Sequence, residues 1–422
     1  VTRTTGRLAR NVAWLGVGEV VLKGALFGAG VLVARGLGPA AMGAFTVAYG
    51  AAMMLMLVFT AGQAEVLIRE TARRPEAVRA LGRMSRAWQR RVALAAVPAA
   101  IAGSALVPDP GLRWTLLAFI PYAWLRSGLV SVGASFKGLD RMEVEVGART
   151  VELGVALLLL GALAALVAPV WTTGFAFAAG AAGGLAVIRR QFAVLPSQGP
   201  AGVTPAFLAR EGAAFLALNL GAQAILRLDT FVLAGFGIAK EEIGWYGVAA
   251  APVWGLLGVA QLFAVAAYPT FARLAAEGRI HLRHVAAVTV AGAVAGALVA
   301  GLLTAVKMPL VRLVFGPHYL ASVPLLGILV WVLPAAYVTM GLGVLIASCG
   351  RQRWSLVSQA VLLCGSAVAN LAVIPRWGTM GCAVVAVGVW TAGLAASLTV
   401  ATLAVGHPKR FEAIAVIGQE VE

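Results

Sequence analysis

Twelve apolar stretches, each long enough to cross a bilayer, follow one another along this chain. A membrane-spanning helix needs about 20 mainly apolar residues. By that measure the first half holds Val12–Ala34, Ala44–Ala64, Val92–Val107, Trp114–Phe136, Val151–Ala168 and Val170–Ile188. The second half holds Ala213–Gly237, Trp245–Ala267, Val285–Ala305, Val323–Ala347, Leu356–Ile374 and Met380–Val405. In hydrocarbon every backbone polar group must find a partner inside its own segment, so stretches of this length are helices. With 61% of its residues hydrophobic and 12% charged, the chain is expected to be an all-α polytopic membrane protein. The expected architecture is twelve transmembrane helices in two parallel six-helix lobes around a central cavity.

The basic residues orient these spans. Of the 33 Lys and Arg, twenty-four fall in loops on the side of the N-terminus and six in the opposite loops. An excess of this kind marks the cytoplasmic side, so both termini are expected there, with the chain multi-pass in a bacterial or archaeal cytoplasmic (inner) membrane. The same distribution argues against nucleic acid as a partner, because the positive charge sits where orientation signals belong. Arg3, Arg7 and Arg10 ahead of the first apolar run look like the start of a signal peptide, but the long run reads as an uncleaved first span. Trp114, Trp171, Trp245 and Trp377 fall at the outer span ends, as an interfacial aromatic belt requires. The longest cytoplasmic connection, Arg69–Arg91, interleaves arginines with Val78, Leu81, Met84 and Trp88. It reads either as a basic amphipathic helix lying on anionic membrane lipid or as a solvated positive loop.

An internal repeat divides the chain. Leu8-Ala-Arg10 returns as Leu208-Ala-Arg210, Gly36-Leu-Gly38 as Gly235-Phe-Gly237, and Gly43-Ala-Phe45 as Gly244-Trp-Tyr246. Six spans per copy give both copies one orientation. Parallel repeats of this kind place a substrate site near the bilayer midplane. The expected organisation is an N-terminal six-helix lobe over 1–195, a cytoplasmic linker over 196–205 and a C-terminal six-helix lobe over 206–422.

Charges within spans carry the functional signal, because each costs roughly 2.5–3.5 kcal/mol at a helix centre on insertion scales. Lys23, Arg126 and Arg227 fall near the centres of spans 1, 4 and 7, with Glu19 and Asp229 close by. Cations outnumber acids, which suits an anionic cargo. Arg offers a planar fork to phosphate oxygens, and Lys acts as a point charge. Lys23, Arg126 and Arg227 are therefore the candidate substrate-binding residues, and Glu19 and Asp229 position those cations or couple an ion. The competing structural reading makes them interhelical ion pairs, with Glu19 on Lys23 at helical spacing and Arg126 or Arg227 on a carboxylate. Glu65 and Glu152 lie near span ends and read as interfacial. Pro252 and Pro334 each remove a backbone donor inside a span and are candidate hinges.

Several motifs resemble one family. Ala34-Arg-Gly-Leu-Gly-Pro39 with Met42-Gly-Ala-Phe45 resembles the opening of the bacterial polysaccharide (O-antigen type) flippases. These belong to the multidrug/oligosaccharidyl-lipid/polysaccharide exporter superfamily. Leu226-Arg-Leu-Asp229, Ile243-Gly-Trp-Tyr246 and Tyr268-Pro-Thr-Phe-Ala-Arg273 are similar to that family's second-lobe opening. Gly350-Arg-Gln-Arg353 and Asn370-Leu-Ala-Val-Ile-Pro375-Arg-Trp-Gly378-Thr-Met-Gly381 resemble its last spans. The resemblance implies a two-lobed flippase that moves an undecaprenyl-diphosphate-linked oligosaccharide from the cytoplasmic to the outer leaflet by alternating access. It also implies a polysaccharide polymerase and glycosyltransferases as neighbours in the pathway. Lipid II flippases are relatives with, as a rule, fourteen spans, and this chain has no room for the extra pair.

Two alternatives stand beside that expectation. A multidrug/cation antiporter of the same superfamily would want a net negative site, contrary to the charge count. A membrane-embedded glycosyltransferase or polysaccharide polymerase needs an acid/base or nucleophile cluster on a sizeable outer loop. The outer loops here are short and hold only Asp109, Glu241 and Glu242, so no enzyme activity is expected. No G-x-x-x-x-G-K-[ST] loop is present. Cys349, Cys364 and Cys382 form no ligand set with the four histidines, and no cofactor or metal is expected.

Overall fold

A computed structural model describes residues 2–195, 199–350 and 352–406. The side chains of 2–17, 19, 262, 265, 266, 269, 352, 353, 355, 356 and 358 lie outside that description. So do residues 196–198 of the linker expected over 196–205, and so does the Glu19 carboxylate. Among the described residues there is no strand. Twelve α-helices follow in order: α1 Thr2–Thr60, α2 Gln63–Arg73, α3 Val78–Ala105, α4 Pro110–Gly138, α5 Met142–Ala165 and α6 Thr172–Ala193, then α7 Pro205–Gly235, α8 Lys240–Ala276, α9 Leu282–Leu310, α10 Ser322–Leu329, α11 Val332–Ser348 and α12 Gln352–Gly406.

Helices and expected spans correspond with three adjustments. Spans 1 and 2 are the two arms of α1, which bends at Gly38. Gly38 takes φ 82°, a left-handed value that glycine adopts without a Cβ clash. Pro39 opens the next arm, where its missing N–H leaves no intrahelical bond unmade. Spans 11 and 12 are likewise the arms of α12, bent at Gly378 with φ 53°. Span 10 is divided into α10 and α11. Eight helical stretches among the described residues are long and apolar enough to cross a membrane. Two of these, Val20–Thr60 and Gln359–Val405, contain two arms each. The glycine-rich α6 and the arginine-headed α3 are less apolar and complete the expected set.

Two compact units emerge: Val1–Arg227 with Ala239–Gly244, and Leu228–Ile238 with Trp245–Glu422. In the first unit α4 is central, packed by α1, α2, α3 and α6. Small residues allow the close approach that helix association in lipid depends on. A Cβ at Gly180 would stand 2.2 Å from the Glu152 carbonyl oxygen, and one at Gly184 2.5 Å from that of Ala148. Phe45, Tyr49, Phe119, Tyr122 and Phe177 form an aromatic cluster in this unit, with ring centroids 5.2–6.3 Å apart. Val78, Phe136, Val144, Ile188 and Phe192 form a second buried cluster.

The basic stretch Arg69–Arg91 is two helices joined by a 3-10 turn at Pro75–Ala77, rather than one. Part of its apolar side is buried inside the protein: Ala77 and Leu81 pack with Leu67 of α2 and Ala134 of α4, while Met84 and Trp88 are half-buried. Residues 199–203 are strapped to the same corner, with Arg74 Nη1 donating to the Ala201 carbonyl at 3.4 Å. Val203 joins the apolar cluster there.

The second unit is built on α9 and α11. Val285, Val338, Leu342, Leu345 and Ile346 make its buried cluster, joined by Ala401 of α12. Gly296 lets α9 lie directly on Pro334, where a Cβ would meet the Pro334 Cα at 2.6 Å.

Candidate functional site

Arg126 lies on α4 and Glu152 on α5, joined through the short turn at Leu139–Arg141. Both are equally far from Leu139, so an antiparallel hairpin sets them side by side. Arg126 Nη1 bonds Glu152 Oε2, with the Arg side chain 13% exposed and the Glu 2%. The interfacial expectation for Glu152 is therefore corrected: close α5–α6 packing at Gly180 and Gly184 covers it, and Arg126 is its counter-charge. A buried carboxylate is tolerated only in such company, since breaking a pair of this kind leaves an uncompensated charge. The other oxygen, Oε1, has no hydrogen-bond partner among the described residues. Tyr122 and Arg149 stand beside it.

Arg227, on α7, meets the same cluster from another direction. Its guanidinium carbon lies 5.9 Å from the centroid of the Tyr49 ring. Tyr49 in turn stacks on Tyr122 at 6.1 Å. No carboxylate pairs with Arg227 among the described residues. The aromatic face is a partial substitute, worth about 0.5–2 kcal/mol depending on exposure. Within the first unit, then, two arginines flank a pair of tyrosines, one neutralised by Glu152 and the other not.

Of the other expected site residues, the Glu19 side chain lies outside the described ones. Lys23 is exposed on the first arm of α1 and makes no ion pair with a described carboxylate. Asp229 is 7% exposed and belongs to the second unit. Its carboxylate accepts from the Tyr246 hydroxyl, from the Thr230 N–H at 2.6 Å and from the Thr230 hydroxyl at 3.2 Å. Two positions along α7 thus send Arg227 and Asp229 in different directions. Pro252 lies within α8, and Pro334 in the first turn of α11, with the helical interruption at Val330 and Trp331 just before it.

Sequence reasoning overlooked Tyr49 and Tyr122 and misplaced Glu152. The equal spacing of Arg126 and Glu152 about Leu139 was a usable signal for the pair. For the tyrosines there was none, since their role depends on α1, α4 and α7 converging.

Three contacts tie the part of α7 before Leu228 and the start of α8 to the rest of the first unit. At one end Arg69 bonds Glu211 at 3.0 Å and Asn219 donates to Glu65 at 3.0 Å. At the opposite end Lys240 Nζ meets Asp109 Oδ2 at 2.8 Å. Asp109 also caps α4, accepting from the Leu112 N–H at 2.6 Å. The hydrogen bond from Lys240 holds the Asp109 carboxyl below the ordinary aspartate range, partly offset by burial.

A family model described as polysaccharide biosynthesis protein matches residues 8–275. No curated protein matches the chain significantly. Among solved structures, the lipid II flippase MurJ in an inward closed conformation superposes with a TM-score of 0.74 at 13% identity, covering 92% of this chain and 86% of MurJ. A multidrug resistance MATE family transporter of the MOP superfamily, inward-facing, gives 0.67 at 12%, covering 93% and 96%. A MOP superfamily transporter from Pyrococcus furiosus, described by a reverse polarity of its binding pocket, gives 0.64 at 13%, covering 92% and 93%. At such identities the likeness establishes fold alone. The family match covers more than half of the chain, and the protein belongs to the polysaccharide biosynthesis protein family, as a multi-pass membrane protein with the fold of the MOP superfamily transporters.

Proposed function

We propose that this protein is a flippase that carries an undecaprenyl-diphosphate-linked oligosaccharide from the cytoplasmic to the outer leaflet of a bacterial or archaeal inner membrane, by alternating access and with both termini cytoplasmic. The observation that carries the reading is the Arg227 guanidinium over Tyr49, without a described carboxylate partner and beside the Arg126–Glu152 pair. An isolated charge costs tens of kcal/mol to bury in hydrocarbon on a Born estimate. A diphosphate therefore crosses only in the company of cations. Arg227 would take the first phosphate as a fork. The second competes with Glu152 for Arg126, and the exposed Lys23 adds a further charge along the route. Glu19, one helical turn before Lys23, would hold that cation in position, whereas Asp229 is engaged by Tyr246 and Thr230. Pro252 and Pro334 mark helices that flex between inward and outward states. The membrane potential contributes roughly 2.3 kcal/mol per charge per 100 mV, less than the site supplies.

Outside the spans, the arginines of Arg69–Arg91 meet anionic headgroups. No chemical step is assigned to the chain, and a polysaccharide polymerase and glycosyltransferases would act before or after it. The test is complementation of a flippase-deficient strain. Arg227→Gln and Lys23→Gln should each remove surface polysaccharide while the protein stays at wild-type abundance in the membrane. Full surface polymer from both variants would overturn the reading.

A further inference from the structure

Four arginines converge at the cytoplasmic ends of α3 and α6, with no acid paired to them among the described residues. Arg83, Arg86 and Arg90 come from α3 and Arg189 from the last turns of α6. Arg86 lies within electrostatic range of the other three, and Arg189 within range of Arg90. The Arg86 guanidinium carbon sits 5.5 Å above the Phe192 ring. Phe192 can lie against α3 because residue 82 is glycine, where a Cβ would be 2.6 Å from the ring. Nearby, Gln89 of α3 bonds the Ser131 hydroxyl of α4, which fixes the face that α3 presents.

Several other cations on the same side have acid partners. Arg69 and Arg73 share Glu70, Lys137 has Glu145 at 3.0 Å, and Arg141 has Glu143 at 3.7 Å. None of Arg83, Arg86, Arg90 and Arg189 has a carboxylate partner among the described residues. An ordinary positive-inside loop would leave its arginines apart, each in water. Here arginines from two helices come within electrostatic range of one another, with Arg86 half-buried and Arg83, Arg90 and Arg189 exposed around it. Burial first, then the neighbouring positive charges, hold the Arg86 and Arg189 guanidinium values below the usual one. Such a cluster is stabilised by an anion with several acceptor oxygens, and guanidinium forks match phosphate. The position at the bilayer edge selects a phosphate carried by a lipid.

We propose that Arg86, Arg90 and Arg189 form a binding site for the phosphate headgroup of an anionic membrane lipid, with Arg83 at its rim. The site rests on the reading that the basic stretch meets anionic headgroups, and narrows it to one place shared with α6.

Native mass spectrometry of the full chain in detergent tests it, titrating phosphatidylglycerol, phosphatidylethanolamine and inorganic phosphate separately. The wild type should retain phosphatidylglycerol adducts at concentrations where phosphatidylethanolamine gives none. Arg90→Gln/Arg189→Gln should weaken the phosphatidylglycerol affinity about tenfold, and Arg279→Gln/Arg283→Gln, an equal loss of charge elsewhere, should not. Arg90→Gln alone gives the same direction should the double variant fail to fold. Unchanged phosphatidylglycerol binding in the α3/α6 variants would overturn the site and leave the broader reading standing. Wild-type binding no stronger than phosphatidylethanolamine would overturn both. Inorganic phosphate binding with the same variant dependence, without lipid retention, would make this a free-anion site and overturn the lipid assignment.

Discussion

Arg126 and Glu152 face each other across the α4–α5 hairpin, at equal distance from Leu139, and form a nearly dry ion pair beside the Tyr49–Tyr122 stack. Removing one partner is expected to cost far more than removing both. Glu152→Ala should destabilise the protein by about 3–5 kcal/mol, because it strands a buried guanidinium. Arg126→Met/Glu152→Leu should recover most of that loss. Thermal unfolding in detergent measures both, and equal stability of the single and double variants would contradict the pairing.

Tyr49 offers Arg227 a ring and not a charge. Tyr49→Phe keeps the face and should leave export close to wild type. Tyr49→Leu removes it and should lower export several-fold, in line with a contact of roughly 0.5–2 kcal/mol. Surface polysaccharide per membrane-inserted protein is the readout.

The contact between Asp109 and Lys240 is pH-sensitive. The folded Asp109 carboxyl lies below its unfolded value because Lys240 bonds it. The contact thus contributes stability above the unfolded aspartate value of about 3.9, and that contribution is lost as pH falls through the lower folded value. Unfolding temperature followed from pH 7 to pH 3 should drop less steeply in Asp109→Asn than in the wild type. Parallel profiles would show that the pair adds nothing.

Gly43 and Gly244 allow the start of α8 to lie against α1. A Cβ on Gly43 would be 1.9 Å from the Lys240 carbonyl oxygen, and one on Gly244 2.1 Å from that of Pro39. Gly43→Ala and Gly244→Ala should each cost about 1–3 kcal/mol through overpacking. Gly24→Ala, where nothing lies within 4 Å, should be near neutral or slightly stabilising.

Span positions were legible because apolar length in lipid leaves helix as the only choice. The bends were less so. Gly36-Leu-Gly-Pro39 reads as a loop, yet the chain stays helical on both sides of one left-handed glycine. Pro334 reads as the interruption in span 10, but the break at Val330 and Trp331 puts it in the first turn of α11, where proline is tolerated. Arg126 and Arg227 were visible as costly charges. Their surroundings were not, because Glu152, Tyr49 and Tyr122 reach them only through tertiary packing. The arginines of α3 could be counted in the sequence, while Arg189 joins them only because Phe192, at the end of α6, lies against Gly82 of α3.

The central claim is that a diphosphate crosses in the company of Arg227 and Arg126. Its most direct measurement is flipping of a fluorescent polyprenyl-diphosphate oligosaccharide in liposomes reconstituted with the purified full chain. Wild-type protein should expose the label to an external quencher, and Arg227→Gln should reduce the rate at least about tenfold, the effect of about 1.4 kcal/mol. Arg227→Lys should fall between them. Equal rates for wild type and Arg227→Gln, at equal reconstituted amounts, would contradict it.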